Sequence, residues 1–253
     1  MRKQSIIMVL FFSSLILINI LGCTKGSESY YPLKEGITWD YQFNIHTHNK
    51  LLIFQGADKI DKTENKKLII TNLLKREMTG KMVTPRKCNF NGRVVFHFIS
   101  EDDKGLYRLA VQTPESVEPK IITPLEYIIK YPIKEGTTWE TNFNPSWDNK
   151  INIKINNTIE KINETITVSD GTFNNCLKIK GLGTAKDTFK DPLSFGRNKL
   201  IPVNINLESF DWYAPGVGLI KGIFRESVSG EEGKKELIYS RSITVQLESF
   251  KQH

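Results

Sequence analysis

Apolar and polar residues alternate along most of the chain with the two-residue period of a β-strand. In the segment 39–48, for example, Trp39, Tyr41 and Phe43 occupy alternate positions and therefore share one face. Similar segments are rich in Ile, Val, Thr, Phe and Tyr and end at Gly, Asn, Asp or Pro. They lie at 50–55, 67–74, 94–100, 106–112, 151–155, 164–169, 176–181, 209–213, 218–226 and 235–250. The pattern predicts a mainly β protein.

Two segments favour short helices. In 123–130, Thr123 is a candidate N-cap and Pro124 fits the first helical turn. Residues 72–78 are a weaker candidate and could instead extend a strand. Residues 186–204 have no clear period, which predicts a long loop.

A repeat organises the chain. Tyr-Pro-Leu-Lys-Glu-Gly-Ile-Thr-Trp-Asp at 31–40 recurs as Tyr-Pro-Ile-Lys-Glu-Gly-Thr-Thr-Trp-Glu at 131–140. Pro ends a preceding helix and Gly accommodates a positive φ, so each copy predicts a turn that leads into an aromatic strand. We expect a duplicated antiparallel meander forming a curved sheet or half-barrel, with β repeats at 30–129 and 130–253. The repeats could be separate domains or one continuous domain.

Residues 1–22 have the layout of a secretory signal peptide: two basic residues, an apolar run and the small residue Gly22. The apolar run is at the short limit for a membrane-spanning helix, which needs about 20 residues. The alternatives are an uncleaved signal anchor and a secreted protein without an anchor. Residues 23–29 continue with mostly small or polar side chains and are expected to form a tether.

The sequence Ile-Leu-Gly-Cys that ends at Cys23 resembles the lipobox of bacterial lipoproteins. The resemblance implies cleavage before Cys23 and attachment of diacylglycerol to its thiol. Two acyl chains hold a protein on a bilayer stably, because each buried methylene contributes about 0.8 kcal/mol. The expected location is the outer membrane, or the outer face of the cell membrane in an organism with a single membrane.

Three further motifs resemble those of a broad group of bacterial envelope lipoproteins. They are Tyr-Pro-Leu-Lys-x-Gly-x-x-Trp at 31–39, Gly-Thr-Phe at 171–173 and Trp-Tyr-Ala-Pro-Gly-Val-Gly at 212–218. The resemblance implies an antiparallel sheet, curved as in the LolA/LolB-like lipoprotein carriers and receptors. It implies no particular activity, because fold alone does not fix function.

The charge of the chain adds little to this picture. The formal net charge is +7, and removal of the signal peptide with Arg2 and Lys3 leaves +5. Basic residues are interleaved with acidic ones and form no separate arm or stripe. Attraction of the net positive charge to anionic lipid or wall polymer is an alternative that the sequence leaves open. No basic and aromatic motif indicates nucleic acid as a partner.

Motifs for catalysis and for cofactors are absent from the sequence. It contains no nucleophile elbow, no phosphate-binding glycine loop and no dinucleotide fingerprint. His46 and His48 could share a strand face, but no further ligand is evident, so a solvated face is expected. The acidic residues 101–103 predict a solvated turn. We expect no enzyme activity, no metal and no cofactor.

Two cysteines remain after Cys23. Outside the cytoplasm Cys88 and Cys176 could form a disulfide, provided that their Cβ atoms lie close together. The alternative is two separately buried thiols that behave as small apolar side chains.

Aromatic strands without catalytic motifs favour a lipid-anchored, non-enzymatic protein that binds an apolar ligand or an envelope component. The candidate binding residues are Trp39, Tyr41, Trp139, Trp212 and Tyr213. One alternative is an envelope assembly or scaffold protein without a small ligand. Another is a hydrolase of wall or lipid material. An open, concave cavity would favour ligand binding, a filled interior the scaffold, and a cleft with convergent polar groups the hydrolase.

The lipobox yields the first prediction. Cys23→Ser removes the thiol that accepts diacylglycerol, so lipidation and processing should both stop while the fold is kept. Metabolic labelling with palmitate, together with the apparent mass of the chain, measures both steps. Normal processing and membrane retention of the variant would contradict the assignment.

Overall fold

A computed structural model describes residues 29–49, 61–145, 151–190, 200–230 and 237–252. These residues form thirteen β-strands and no helix, which confirms the predicted mainly β class. The strands are β1 (Thr38–Asn49), β2 (Asp61–Asn72), β3 (Arg76–Met78), β4 (Lys81–Phe90), β5 (Arg93–Asp102), β6 (Gly105–Gln112), β7 (Lys120–Lys130), β8 (Thr138–Phe143), β9 (Ile153–Val168), β10 (Gly171–Lys190), β11 (Leu200–Ala214), β12 (Gly218–Gly230) and β13 (Leu237–Lys251).

The strands form one curved antiparallel sheet in the order β7-β6-β5-β4-β2-β1-β13-β12-β11-β10-β9-β8, and β3 pairs only with β4. The predicted curved antiparallel sheet is thereby confirmed. Within the described residues, each half of the chain supplies six neighbouring strands of this order. The halves join where β1 pairs with β13, from Thr38 opposite Lys251 to Asn49 opposite Tyr239. We call this junction the paired seam.

The two ends of the sheet also meet. β7 and β8 are consecutive in the chain, yet they occupy opposite ends of the strand order. In the described part of the chain no ladder joins them. The Trp139 indole Nε1 on β8 instead donates to the carbonyl oxygen of Tyr127 on β7, at 2.9 Å. The sheet therefore nearly closes into a barrel, and we call the β7–β8 junction the open seam.

The glycine turn of the repeated sequence adopts the same conformation in both copies, whereas the peptide bond before the proline is cis only in the second. Gly36 has φ 78° and Gly136 has φ 84°, values that favour glycine. The Gly36 amide donates to the carbonyl of Asn72 at 3.0 Å, and the Gly136 amide donates to that of Ile159 at 2.9 Å. Each copy thus starts a strand that lies at a seam, β1 at the paired seam and β8 at the open one.

The predicted helix at 123–130 is wrong, because these residues belong to β7. Its β-branched and aromatic side chains pack against β6, where Arg108 faces Glu126. Pro124 cannot donate a ladder hydrogen bond, but an edge strand needs none on its outer side. Pro124 is therefore compatible with β7 at the end of the sheet.

Other element predictions also change. The weaker helix candidate at 72–78 is likewise wrong, since Asn72 ends β2 and Arg76–Met78 forms β3. The predicted loop at 186–204 is shorter, because β10 continues to Lys190 and β11 begins at Leu200. The pattern missed β4, where Pro85 and several charged residues interrupt the alternation. The predicted strand at 50–55 lies outside the described residues.

Buried apolar side chains form four clusters among the described residues. Three of them are centred on Trp39 at the paired seam, on Trp139 at the open seam, and on Val83 and Phe98 in the first half. The fourth lies in the second half and contains Ile153, Ile155, Val203, Ile205, Leu207, Val228 and Tyr239. Much of the interior is therefore filled.

Cys88 and Cys176 are free and buried, which corrects the disulfide alternative. Cys88 lies on β4 with its Sγ 3.7 Å from the carbonyl oxygen of Arg86, whereas Cys176 lies on β10 with its Sγ 3.4 Å from that of Phe173. These strands are not neighbours in the sheet. Burial raises the pKa of both thiols to about 11, so they behave as small apolar side chains.

A buried guanidinium fixes the residues that precede β1. Arg86 is 6% exposed, and its carbon Cζ lies 4.0 Å from the ring centre of Tyr31 and 4.5 Å from that of Trp39. Its Nε donates to Asn72 Oδ1 at 2.9 Å and its Nη2 to the carbonyl of Pro32 at 3.3 Å. Stacking and hydrogen bonding together hold the segment before β1 against the sheet.

The turn between β5 and β6 provides a test of the packing. Gly105 has φ 143°, and a Cβ at this position would overlap the carbonyl oxygen of Ile129 on β7. Because backbone cannot move aside easily, Gly105→Ala should lower the free energy of unfolding by about 2–4 kcal/mol. Urea denaturation measures this loss.

The matched control is Gly92→Ala. Gly92 has φ 88° but no atom within 4 Å of an added Cβ, so only backbone strain is expected, at about 1 kcal/mol. Equal losses in the two variants would contradict the packing at Gly105.

Candidate functional site

A cavity of about 400 Å³ lies at the open seam, between the edge strands and the inner face of the second half of the sheet. Its wall is mixed in character. The apolar side includes Ile128, Trp139, Phe143, Ile155, Ile179, Tyr213, Leu219 and Phe224. The polar side includes Arg108, Glu126, Thr141, Asn142, Asn157, Ser209 and Asp211.

Strand β11 shows how the sequence builds this wall. Alternate side chains of a strand share a face. Val203, Ile205 and Leu207 are buried on that face, and the same face continues with Ser209 and Asp211. The interior therefore changes from apolar to polar halfway along one strand, at the level of the cavity.

Two glycines leave room beside these polar groups. Gly181 on β10 faces Ser209, and Gly222 on β12 faces Asp211. A Cβ at Gly222 would lie 3.0 Å from Asp211 Oδ1, and one at Gly181 would overlap Ser209 Oγ. The absence of side chains at both positions keeps the floor of the cavity open.

Asp211 carries a carboxyl group with no hydrogen-bond or ion-pair partner in the part of the chain that the structure describes. Its cross-strand neighbours are Ile179 and Gly222, which offer no polar side chain. Burial alone raises the pKa of Asp211 to about 7. The group therefore changes its charge near neutral pH.

The other charged groups of the cavity are paired with each other, although Arg108 Nε is buried without a hydrogen-bond partner among the described residues. Asn157 Nδ2 donates to Thr141 Oγ1 at 2.9 Å, which links β9 to the edge strand β8. On the opposite edge Arg108 Nη1 donates to Glu126 Oε2 at 3.3 Å. The two charges of this pair compensate each other, so Asp211 is left as the uncompensated carboxyl of the cavity.

The structure brings two of the predicted binding residues to the cavity, Trp139 and Tyr213. The other three do not line it. Trp39 Nε1 donates to the carbonyl of Val217 at 2.6 Å, and Tyr41 Oη donates to that of Leu219 at 2.7 Å. Both join β1 to the segment around the β11–β12 turn.

Trp212 points away from the cavity. Its Nε1 donates to Glu164 Oε2 at 2.6 Å. The ammonium groups of Lys178 and Lys221 lie 5.4 Å and 5.5 Å from the Trp212 ring centre. Trp212 therefore packs on the other face of β11, where the ring of Phe210 lies 6.1 Å away.

The histidines lie away from the cavity as well. His48 Nδ1 is 2.9 Å from Asp61 Oδ1 and His46 Nε2 is 3.7 Å from the same atom. Within the described ranges, no group of His, Cys, Asp or Glu residues is arranged to hold a metal ion. His97 is half-buried beside Cys88, and desolvation lowers its pKa to about 3, with smaller contributions from Arg108 and Arg86.

The acidic turn at 101–103 is closed by its own side chains and by two tyrosines. Asp102 Oδ1 accepts hydrogen bonds from the amides of Lys104 and Gly105, at 2.9 Å and 3.1 Å. Tyr127 donates to Asp102 at 3.3 Å, and Tyr131 donates to Glu101. The turn therefore stabilises the end of the β5–β6 hairpin.

Cys23, the signal peptide and most of the tether lie outside the described residues, and the lipidation site stays a prediction. Among the described residues, none forms a helix with the length and apolar character needed to cross a bilayer.

Sequence reasoning missed Ser209, Asp211, Gly181 and Gly222. Part of the signal was present, because 209–213 was predicted as a strand and Ser209, Asp211 and Tyr213 alternate along it. The missing information was which strands flank β11, since that decides what faces Asp211.

Two solved structures are similar to the chain. One is a protein of Bacteroides fragilis, provisionally described as an exported protein with a YmcC-like fold. It is 15% identical, with a TM-score of 0.39, and the match covers 89% of this chain and 100% of that one. The other is provisionally described as a lipoprotein of Parabacteroides distasonis, with 13% identity, a TM-score of 0.36 and coverage of 89% and 99%. No protein-family model and no curated protein sequence matches the chain.

The partly buried Asp211 carboxyl yields a prediction on stability. Between its ordinary pKa near 3.8 and the folded value of about 7, the folded chain keeps a proton on Asp211 that the unfolded chain has lost. The free energy of unfolding therefore falls as pH rises through this range. Asp211→Asn removes this dependence and should stabilise the protein more at pH 8 than at pH 5, by on the order of 2 kcal/mol.

Urea denaturation of both proteins at pH 5 and pH 8 measures the difference. Asp103→Asn removes one carboxylate from the exposed β5–β6 turn and serves as the control. A stability change from Asp211→Asn that matches the control at both pH values would contradict the burial of this group.

Proposed function

We propose that the chain is an exported, lipid-anchored, non-enzymatic envelope protein that binds an amphipathic small molecule in the open-seam cavity. The observation that carries this proposal is an interior cavity with an apolar wall and an unpartnered carboxyl. Its volume of about 400 Å³ lies in the range of small-molecule sites, about 300–1,000 Å³.

The mixed lining favours an amphipathic ligand over a purely apolar one. The rings of Phe143 and Phe224 lie 5.1 Å apart at the cavity, and Trp139 adds a further aromatic surface. Ser209 and Asp211 supply polar contacts on the same floor. A purely hydrocarbon ligand would displace water from Ser209 and Asp211 without replacing the lost hydrogen bonds, and this costs binding free energy.

The open seam favours access to this cavity. Strands β7 and β8 are joined by the Trp139–Tyr127 hydrogen bond rather than by a ladder. Separating them beyond that contact breaks no described backbone ladder, so local opening is less costly here than at the paired seam.

Another hollow, of about 480 Å³, lies beside the segment that precedes β1. It is lined by Tyr30, Tyr31, Tyr131 and Glu101 among others. Two of its tyrosine hydroxyls have partners, since Tyr30 donates to the carbonyl of Asn175 at 3.0 Å and Tyr131 donates to Glu101. These groups contribute to packing, which makes this hollow the weaker candidate.

Export and anchoring rest on the sequence around Cys23. The signal-peptide layout and the lipobox resemblance support a mature chain that starts at Cys23 and is held on a membrane by its diacylglycerol. The scaffold function is supported by the filled clusters elsewhere in the interior, and it is the second candidate.

The cavity is tested by filling it. Thr141 lies on β8 and lines the cavity, whereas its neighbour Glu140 is exposed and pairs with Lys154. Thr141→Trp should fill part of the cavity and weaken binding of the neutral probe benzyl alcohol at least tenfold, while Glu140→Trp should leave binding as it was. Calorimetric titration of the full chain in lipid nanodiscs, with empty nanodiscs as the blank, measures both.

Two results would count against the proposal. Absence of binding of both benzyl alcohol and benzylamine to the unaltered chain would remove the ligand-binding function and favour the scaffold. Equal effects of the two tryptophan substitutions would place any binding outside the cavity. Circular dichroism on each variant verifies that the fold is kept.

A further inference from the structure

We propose that the ligand of the open-seam cavity is an amine, with an apolar body and a cationic group that pairs with Asp211. This inference rests on the proposed function and specifies the chemistry of the ligand. It follows from the position of an uncompensated carboxyl on the floor of an otherwise mostly uncharged cavity.

The geometry leaves space for a cation beside Asp211. The carboxyl lies between Ile179 on β10 and Gly222 on β12, and glycine leaves the region around Oδ1 open. Ser209 lies two residues away on the same face, so its hydroxyl can accept a second hydrogen bond from an ammonium group. An ammonium group has three donors and no acceptor, which matches these two acceptors.

The charges around the cavity favour a cation over an anion. Arg108 on β6 and Glu126 on β7 pair with each other at 3.3 Å. On β11 the phenol of Tyr213 is buried, and burial raises its pKa further above the usual range, so it stays neutral. The side chains that β8, β9, β10, β12 and β13 contribute to the lining are uncharged. Ionised Asp211 therefore gives the cavity a net negative charge.

Desolvation of Asp211 favours binding of a cationic ligand over a neutral or an anionic one. Asp211 is partly shielded from water and has no partner among the described residues, so its ionised form is costly, and a charge-assisted hydrogen bond to a bound cation removes much of that cost. A neutral alcohol can donate one hydrogen bond but does not neutralise the charge. A carboxylate ligand would be repelled. We therefore expect binding in the order amine, alcohol, acid for ligands with the same apolar part.

The apolar wall suits the rest of such a ligand. Trp139, Phe143 and Phe224 supply aromatic faces beside the polar floor. Aromatic faces also attract cations, which adds to the preference for an amine. A molecule with one amine at the end of a hydrocarbon or aromatic body fits both parts of the cavity.

The test uses three probes with the same body: benzylamine, benzyl alcohol and benzoate. Each is titrated calorimetrically into the full chain in lipid nanodiscs at pH 8, with empty nanodiscs as the blank. We expect benzylamine to bind at least tenfold more tightly than benzyl alcohol, and benzoate to bind least. Because burial raises the pKa of Asp211 to about 7, benzylamine should bind at least tenfold more weakly at pH 5 than at pH 8.

Substitution separates the carboxyl from the rest of the cavity. Asp211→Asn should lower the affinity for benzylamine to that for benzyl alcohol and remove its dependence on pH. Asp103→Asn, which removes one negative charge from an exposed turn, should keep the preference for benzylamine.

The outcomes distinguish this inference from the function on which it rests. If benzyl alcohol binds and benzylamine binds no better, or if the preference for benzylamine persists in Asp211→Asn, the inference is overturned and the cavity remains a ligand site. If none of the three probes binds the unaltered chain, the proposed function itself fails.

Discussion

The open seam depends on one constraint of sheet geometry: the first and last strands of an antiparallel sheet expose unpaired backbone groups, which must be covered or left free. Here these strands are β7 and β8, and the chain that joins them brings the two edges together. The Trp139 indole joins them at 2.9 Å in place of a ladder. Had a ladder joined them, the edges of β7 and β8 would pair and the gap between the two strands would close. The cavity therefore exists because closure of the sheet is incomplete.

The paired seam and the open seam differ in how many hydrogen bonds join their strands. At the paired seam, β1 and β13 are joined along twelve register pairs, and the Trp39 and Tyr41 side chains donate to carbonyls beyond them. Arg86 adds stacking against Trp39 and hydrogen bonds to the segment before β1. The same repeated sequence starts β8, where few of these contacts exist. One copy of the repeat thus starts a strand that is paired on both sides, and the other starts an edge strand that no described ladder joins to β7.

Much of the fold could be predicted from the sequence because strand periodicity and turn residues are local signals. The repeated glycine turns and most strands follow from them. The failures have specific causes. Pro124 resembled a helix start, and only its place on an edge strand shows why it is tolerated. Strand β4 was not predicted, because Pro85 and its charged neighbours interrupt the alternation of apolar and polar residues. Trp139 and Tyr213 were found at the site because large aromatic residues attract attention. Asp211 was not, because its importance depends on Ile179 and Gly222, which are distant in sequence.

The hydrogen bond from the Gly216 amide to the carbonyl of Ser29, at 3.0 Å, has a consequence for orientation. Six residues of extended chain span at most about 20 Å, so an anchor at Cys23 would hold the β11–β12 turn close to the bilayer surface. Register places Thr138, where β8 begins, level with Phe210 near that turn, and Phe143 farther from it. The Phe143 end of the open seam would then face away from the membrane. A ligand would reach it from the aqueous compartment rather than by lateral transfer out of the lipid.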